Sequence, residues 1–400
     1  MFHRICNWFE CGGNYNSQDS DGETKLHRAA RDGHHEECRR LVGRGADVDI
    51  RSIDGWTAVM LAACRGHGDI VKYLHQDGAD INIRDNDGMT AVMYAAFWGH
   101  EDIVKYLHEA GANTSGGDDG GVTAVMKAAS GGHGAIVQYL HRAGSDINLR
   151  NNAGVSAVME AAVAGHGDIV KYLHQAGADI NIRNENGATA VMVTAKMGHG
   201  NIVKYLHQSG ADINLGSKMG VTAVMVAAEM GHGDIVQYLH EAGADINLRS
   251  TDGWSAVMQA ASEGHGDIVQ YLHQAGADIN IWDNDGMTAL MGAANWGHGD
   301  IVQYLHQAGA DLNIRNNDGV TALMLAAWNG HGDVVQYLHQ AGADINIRSN
   351  NGFNAGMLAV MRDHGDITKY INQHSPQITM RSKPSGSQIS LFHCVRSSAQ

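Results

Sequence analysis

One glycine recurs at Gly22, Gly55, Gly88, Gly121, Gly154, Gly187, Gly220, Gly253, Gly286, Gly319 and Gly352, and every step is 33 residues. Two further markers keep the same phase. A histidine returns from His34 to His364, and a Gly-Ala-Asp-Ile-Asn run returns as in Gly78 to Asn82. A period of this length without insertion or deletion excludes an ordinary single-core globule and requires a stacked array. The period also accounts for the composition. Forty of the 51 glycines fill four recurring places, and ten of the 12 tyrosines fill one.

One repeat is legible in physical terms. Thr57 to Arg65 is rich in helix formers behind a threonine suited to the helix start. Gly66 is suited to end that helix in the left-handed conformation. Asp69 then favours the positive end of a second helix, whose Ile70, Val71 and Leu74 form one apolar stripe. Gly78 ends it, and the chain runs on to a turn at Asn86-Asp87-Gly88. Helices of about ten residues do not persist alone in water. Each must bury its stripe on the next repeat, so the expected fold is all-α, a solenoid of helix pairs with a β-turn finger per repeat.

The repeat resembles the ankyrin repeat over about 19–374. The best match is the first copy, Asp21-Gly22-Glu23-Thr24-Lys25-Leu26-His27-Arg28-Ala29-Ala30, followed by Gly33-His34 and Gly45-Ala46-Asp47-Val48-Asp49. Later copies depart by reading Ala-Val-Met or Ala-Leu-Met where the family has Pro-Leu-His, so the family's threonine–histidine hydrogen bond is expected to be missing there. The resemblance implies a curved ankyrin solenoid with a concave binding face, and protein or peptide partners. The domain reading is an extension over 1–18, eleven repeats over 19–374 with capping first and last copies, and a disordered tail over 375–400. That tail holds both prolines and is basic and serine-rich. The glycine-dense finger 113–120 is the expected soft joint.

Information in such an array lies where copies differ. In the ankyrin pattern the variable places are the finger tip, the residue after the finger glycine and the end of the first helix. Six of the seven tryptophans fall there. One group is Trp56, Tyr94, Phe97 and Trp98, and the other is Trp254, Trp282, Trp296 and Trp328. Tryptophan is a preferred anchor at interfaces, so these eight residues are the candidate protein-binding set. The competing reading is that the rings fill grooves between adjacent first helices. Arg51, Arg84, Arg150, Arg183, Arg249, Arg315 and Arg348 recur at one finger position. They are candidates for gripping an acidic or phosphorylated peptide, or for pairing internally with Asp54, Asp87, Asp252, Asp285 and Asp318. The resemblance also implies Asn82 as a candidate for asparaginyl hydroxylation in an animal host.

Other functions find less support. The formal net charge is −15, which argues against a nucleic-acid partner, since phosphate binding needs Lys and Arg. No apolar run is long enough for a membrane span, and the opening lacks the apolar core of a signal peptide. Five cysteines in 400 residues suggest a reduced, cytoplasmic protein, with the nucleus also open. No phosphate loop, Gly-x-Ser-x-Gly or His-Glu-x-x-His is present, so no enzyme activity and no cofactor are expected. His34, His35 and Cys38, or His3, Cys6 and Cys11, have local ligand-like spacing but no paired Cys-x-x-Cys. No metal is expected, and the Gly-His imidazoles are expected to bond a neighbour's finger backbone. The reading is a monomeric, non-enzymatic adaptor. Its rivals are a ubiquitin-ligase substrate adaptor acting through the tail near Leu391 to Cys394, a membrane–cytoskeleton linker acylated at Cys6 and Cys11, and a host-directed microbial effector.

Overall fold

The computed structural model describes residues 15–374. The extension to residue 14 and the tail from 375 lie outside the described residues. So do Trp8, His3, Cys6, Cys11 and the Leu391 to Cys394 segment. Among the described residues are 22 helices, from α1 (Lys25–Arg31) to α22 (Gly365–His374), and no helix is long and apolar enough to cross a membrane. The chain resolves into two compact blocks, Met1–Lys218 and Met219–Gln400.

Each repeat supplies two short helices. In the second repeat these are α3 (Ala58–Arg65) and α4 (Gly68–Gln76). Thr57 starts α3 in extended backbone and its hydroxyl accepts the Met60 amide at 3.4 Å. The helix ends on Gly66 at φ 82°. Asp69 sits in the first turn of α4, where the helix dipole favours an anion. Ile70, Val71 and Leu74 are fully buried. The first helices stack on one another within each block, and each packs on its own second helix. Alanine at two adjacent inner places, such as Ala62 and Ala63 at 0% exposure, lets these helices approach closely.

The fingers join by backbone hydrogen bonds, one from each repeat to the one before. Asn86 N donates to Asp54 O at 3.0 Å and Asp119 N to Asp87 O at 3.0 Å. In the second block Asn284 N donates to Asp252 O at 2.9 Å. The finger 113–120 takes part in the same way, with Asn152 N donating to Gly120 O at 2.8 Å. Its Asp118 pairs with Lys127 at 3.0 Å. The division into blocks falls at 218, not at this finger.

Two expectations about histidine and threonine need correction. The Gly-His imidazoles do not reach a finger. Nine of them reach back to the last turn of the preceding first helix, among them His67 Nε2 at 3.0 Å from Arg31 O, His133 Nε2 at 2.9 Å from Phe97 O and His298 Nε2 at 3.0 Å from Ser262 O. Those carbonyls have no helical partner, so the imidazole caps one helix while starting the next. The threonine–histidine bond of the first copy is not simply lost in the second. Thr24 N donates to His27 Nδ1 at 3.1 Å, and Thr57 N donates to Met60 Sδ at 3.4 Å. A thioether is a weaker acceptor, but it occupies the same place.

His27 differs from its methionine counterparts in one further respect. Its Nε2 donates to Trp56 O at 2.9 Å and the side chain is 1% exposed. Burial holds its pKa below the ordinary 6.5, partly offset by that carbonyl. The folded state therefore binds fewer protons than the unfolded one below pH 6.5. Stability from this group is present above 6.5 and lost as pH falls through it. Urea titrations at stepped pH are expected to show the first repeat weakening on acidification. His27→Met, which restores the residue of later copies, should flatten that trend. An unchanged trend in the variant would exclude His27 as its source.

Candidate protein-binding face

The face carrying the variable residues is built by the fingers and the carboxyl ends of the first helices. In the first block Trp56 follows its finger, and Tyr94 stands on α5 (Ala91–Trp98) of the next repeat. Their rings lie 4.2 Å apart between centroids, and the Tyr94 hydroxyl donates a short hydrogen bond to Asp85 Oδ2. Burial and then the neighbouring carboxylate push the Tyr94 phenol upward. Tyr94 is thus held on both sides and presents little of itself. Phe97 and Trp98 meet edge to face at 5.3 Å. Trp98 is 56% exposed and Phe97 37%. Burial pushes the Cys64 thiol up, opposed by the Arg65 charge and then by its hydrogen bond with the Trp98 side chain.

The second group divides in the same manner. Trp282 at a finger is 59% exposed, and Trp296 at a helix end is 47% exposed. Trp254 and Trp328 are half-buried. The Arg362 guanidinium sits 4.8 Å over the Trp328 ring, a cation–π contact within the array. The eight aromatic candidates therefore fall into an exposed set, Phe97, Trp98, Trp282 and Trp296, and a half-buried set, Trp56, Tyr94, Trp254 and Trp328, of which Trp56, Tyr94 and Trp328 meet a neighbouring side chain. Sequence reading did not single out Met197 and Met230, which are exposed at the helix-end place that Trp98 and Trp296 occupy. Their register was available as a signal.

The finger arginines engage backbone more than carboxylates. Arg249 donates to Gly253 O at 3.0 Å and to Trp282 O at 2.6 Å. Arg150 donates to Gly154 O at 3.2 Å and Arg183 O at 2.8 Å, and Arg315 to Gly319 O at 3.3 Å and Arg348 O at 3.0 Å. Arg183 donates to Gly187 O at 3.0 Å and also to Gly216 O. Arg51 bonds Gly55 O and Asn86 Oδ1, and Arg348 bonds Gly352 O. Only Arg84, with Asp119 at 3.2 Å, pairs with a finger aspartate among the described residues. Every one of these guanidinium groups but that of Arg84 thus clasps its own turn, and most also reach the next finger.

Asn82 is exposed, and its Oδ1 accepts the Asn113 amide of the next repeat at 2.9 Å. Asn148, Asn181, Asn247 and Asn313 do the same one repeat onward. Cys38, beside His34 and His35, is fully buried, and burial pushes its thiol up to about 12. A cavity of ≈190 Å³ lies between Trp56, Cys64 and the carboxylates of Asp21, Glu23 and Asp54. That is below the ~300 Å³ at which drug-sized ligand sites begin.

The search of curated proteins finds no match to this chain. Family models described as ankyrin repeats in three copies match residues 2–85, 26–116, 77–152, 114–184, 158–250 and 242–316. A model described as ankyrin repeats in many copies matches 305–355. Together these matches span most of the chain and agree with the helix pairs and fingers described above. The chain belongs to the ankyrin repeat family.

Proposed function

We propose that this chain is a non-enzymatic scaffold that holds partner proteins against its finger and helix-end face. Ankyrin repeats in general are protein–protein interaction modules. The observation that carries the reading for this chain is the exposure of Trp98, Trp282 and Trp296, each about half or more open to solvent. Isolated exposed aliphatic side chains need no explanation, but large rings recurring at variable places mark contact surfaces. The inner alanines and the leucine–isoleucine stripe form the core without these rings. The arginine clasps support the same reading from the other side. Their donors hold fingers in register and so present a rigid surface to a partner.

The test compares the full chain with Trp282→Ala/Trp296→Ala in affinity purification, with Gln270→Ala on an exposed second-helix position as control. Partners retained by the wild type and the control are expected to be lost by the double variant. Each anchor typically contributes about 2 kcal/mol or more, roughly thirtyfold in affinity. The melting curve should move little, because exposed substitutions usually stay within about 0.5 kcal/mol. An unchanged set of bound proteins, or a double variant that is destabilised on the scale of a core tryptophan, would defeat the reading.

A further inference from the structure

The third and ninth repeats share one finger sequence, Asp-Asn-Asp-Gly-Met-Thr, at Asp85 to Thr90 and Asp283 to Thr288. Each is preceded by a repeat with tryptophan after its finger glycine, Trp56 and Trp254. In the third repeat three side chains close on one another. Asp85 Oδ1 accepts the Met89 amide at 2.8 Å and the Asp87 amide at 3.0 Å, leaving Oδ2 for the Tyr94 hydroxyl. The Tyr94 ring lies against Trp56.

In the ninth repeat every part but one returns. Asp283 Oδ1 accepts the Met287 amide at 2.8 Å and the Asp285 amide at 2.9 Å. The place of Tyr94 is taken by Gly292, which has no side chain to give. Among the described residues no donor reaches Asp283 Oδ2, although Asp283 is only 4% exposed. That oxygen is left to solvent at the edge of a mostly buried residue, without the donor that Tyr94 supplies to Asp85, and burial raises this carboxyl above its ordinary value. Repeat four shows the same seat filled differently: Lys127 stands at the tyrosine's helix position and reaches Asp118 Oδ2 at 3.0 Å. Wherever the array supplies a donor at this helix position beside a finger aspartate, the donor goes to that second oxygen.

We propose that the ninth repeat receives a tyrosine side chain from a partner protein, its ring laid on Trp254 and its hydroxyl donated to Asp283 Oδ2 above Gly292. The inference rests on the protein-binding reading of this face. The intramolecular Trp56–Tyr94–Asp85 group shows that the three chemistries fit together. Lysine satisfies the carboxylate in repeat four, but there the preceding repeat carries Met89 rather than tryptophan. A neutral phenol also sheds its water at less cost than an ammonium beside a buried carboxylate. The Ser262 hydroxyl closes the helix side of the seat, 2.3 Å from where a side-chain carbon on Gly292 would stand. The phenol therefore enters from solvent and not along the helix.

The full chain labelled with 5-fluorotryptophan provides the test, its fluorine resonances assigned by single Trp→Phe variants. N-acetyltyrosinamide is expected to shift the Trp254 resonance and to leave Trp56 in place, since Trp56 already carries Tyr94. N-acetylphenylalaninamide and N-acetyllysinamide should bind at least about tenfold more weakly, the scale of a lost hydrogen bond to a charged acceptor. Asp283→Asn keeps the finger, because Asn316 in the next repeat accepts the Val320 and Asp318 amides at 2.8 and 3.1 Å. It turns an amide donor toward the phenol and should reduce the tyrosine response to the phenylalanine level. Equal responses to the tyrosine and phenylalanine probes, a stronger response to lysine, a wild-type response in Asp283→Asn, or a Trp56 shift as large as that of Trp254 would each overturn the proposal. A silent Trp254 alongside partner loss in Trp282→Ala/Trp296→Ala would remove the seat and leave the binding face standing.

Discussion

Gly99→Ala is expected to destabilise the first block by about 2–5 kcal/mol, combining left-handed backbone strain with overpacking. Gly99 ends α5 at φ 84°, where a non-glycine residue is strained by about 1–2 kcal/mol. A side-chain carbon there would stand 2.4 Å from His133 Cε1 and 2.6 Å from its Nδ1. The ring has no free direction to move, because its Nε2 is bonded to Phe97 O. One methyl group thus attacks the end of one helix and the start of the next. Hydrogen exchange followed by mass spectrometry should show lost protection in the third and fourth repeats together. Lost protection confined to 91–99 would mean that His133 gives way and that the contact is soft.

Leu173→Ala should have an effect of similar size, about 2–5 kcal/mol for a large buried side chain cut to alanine. Leu173 lies in α10 (Gly167–Gln175) at 0% exposure, with Ile169 and Val170 on the same buried face. Neighbouring second helices contact one another less extensively than first helices do, so the cavity has little material to collapse it. Long repeat arrays do not unfold in two states, so a single global midpoint is the wrong readout. Urea titration followed by segment-resolved exchange should show the fifth repeat opening first, with its neighbours weakened next. Uniform weakening of the whole block would contradict nearest-neighbour stabilisation.

The architecture was legible in the sequence because its signals are local and repeated. Thr57, Gly66, Asp69 and Gly78 each mark an element end by chemistry that acts within a few residues, and the structure places all four as expected. What crosses from one repeat to the next was less legible. The partner of His67 is the Arg31 carbonyl, 36 residues back, and no local pattern distinguishes it from a finger carbonyl. The arginine partners were missed for the same reason. Their donors meet backbone oxygens, which every residue type supplies, whereas the aspartates offered an obvious but mostly unused alternative. The second-helix ladder, with His75 Nδ1 2.8 Å from the Tyr106 hydroxyl and His273 from that of Tyr304, showed in the sequence only as two repeated residue types.

The aromatic face was half legible. Register located the rings but could not tell exposed from packed, because that depends on what the next copy places opposite. Trp56 is packed since Tyr94 is there to meet it, and Trp328 since Arg362 is. Gly292 passed unnoticed, one glycine among 51. Only the side-by-side comparison of two identical fingers shows what it leaves undone.

Within each block the same kinds of bond join most successive pairs of copies: a finger amide to a finger carbonyl, an imidazole to a helix-end carbonyl, an asparagine or aspartate oxygen to the next amide. Such joints are interchangeable parts. An interior copy can be duplicated, deleted or transplanted whole without making any new kind of bond, whereas shifting the frame by a single residue would break all three at once. Reach and spacing of the aromatic contacts are therefore free to vary by recombination while the chemistry of assembly stays constant.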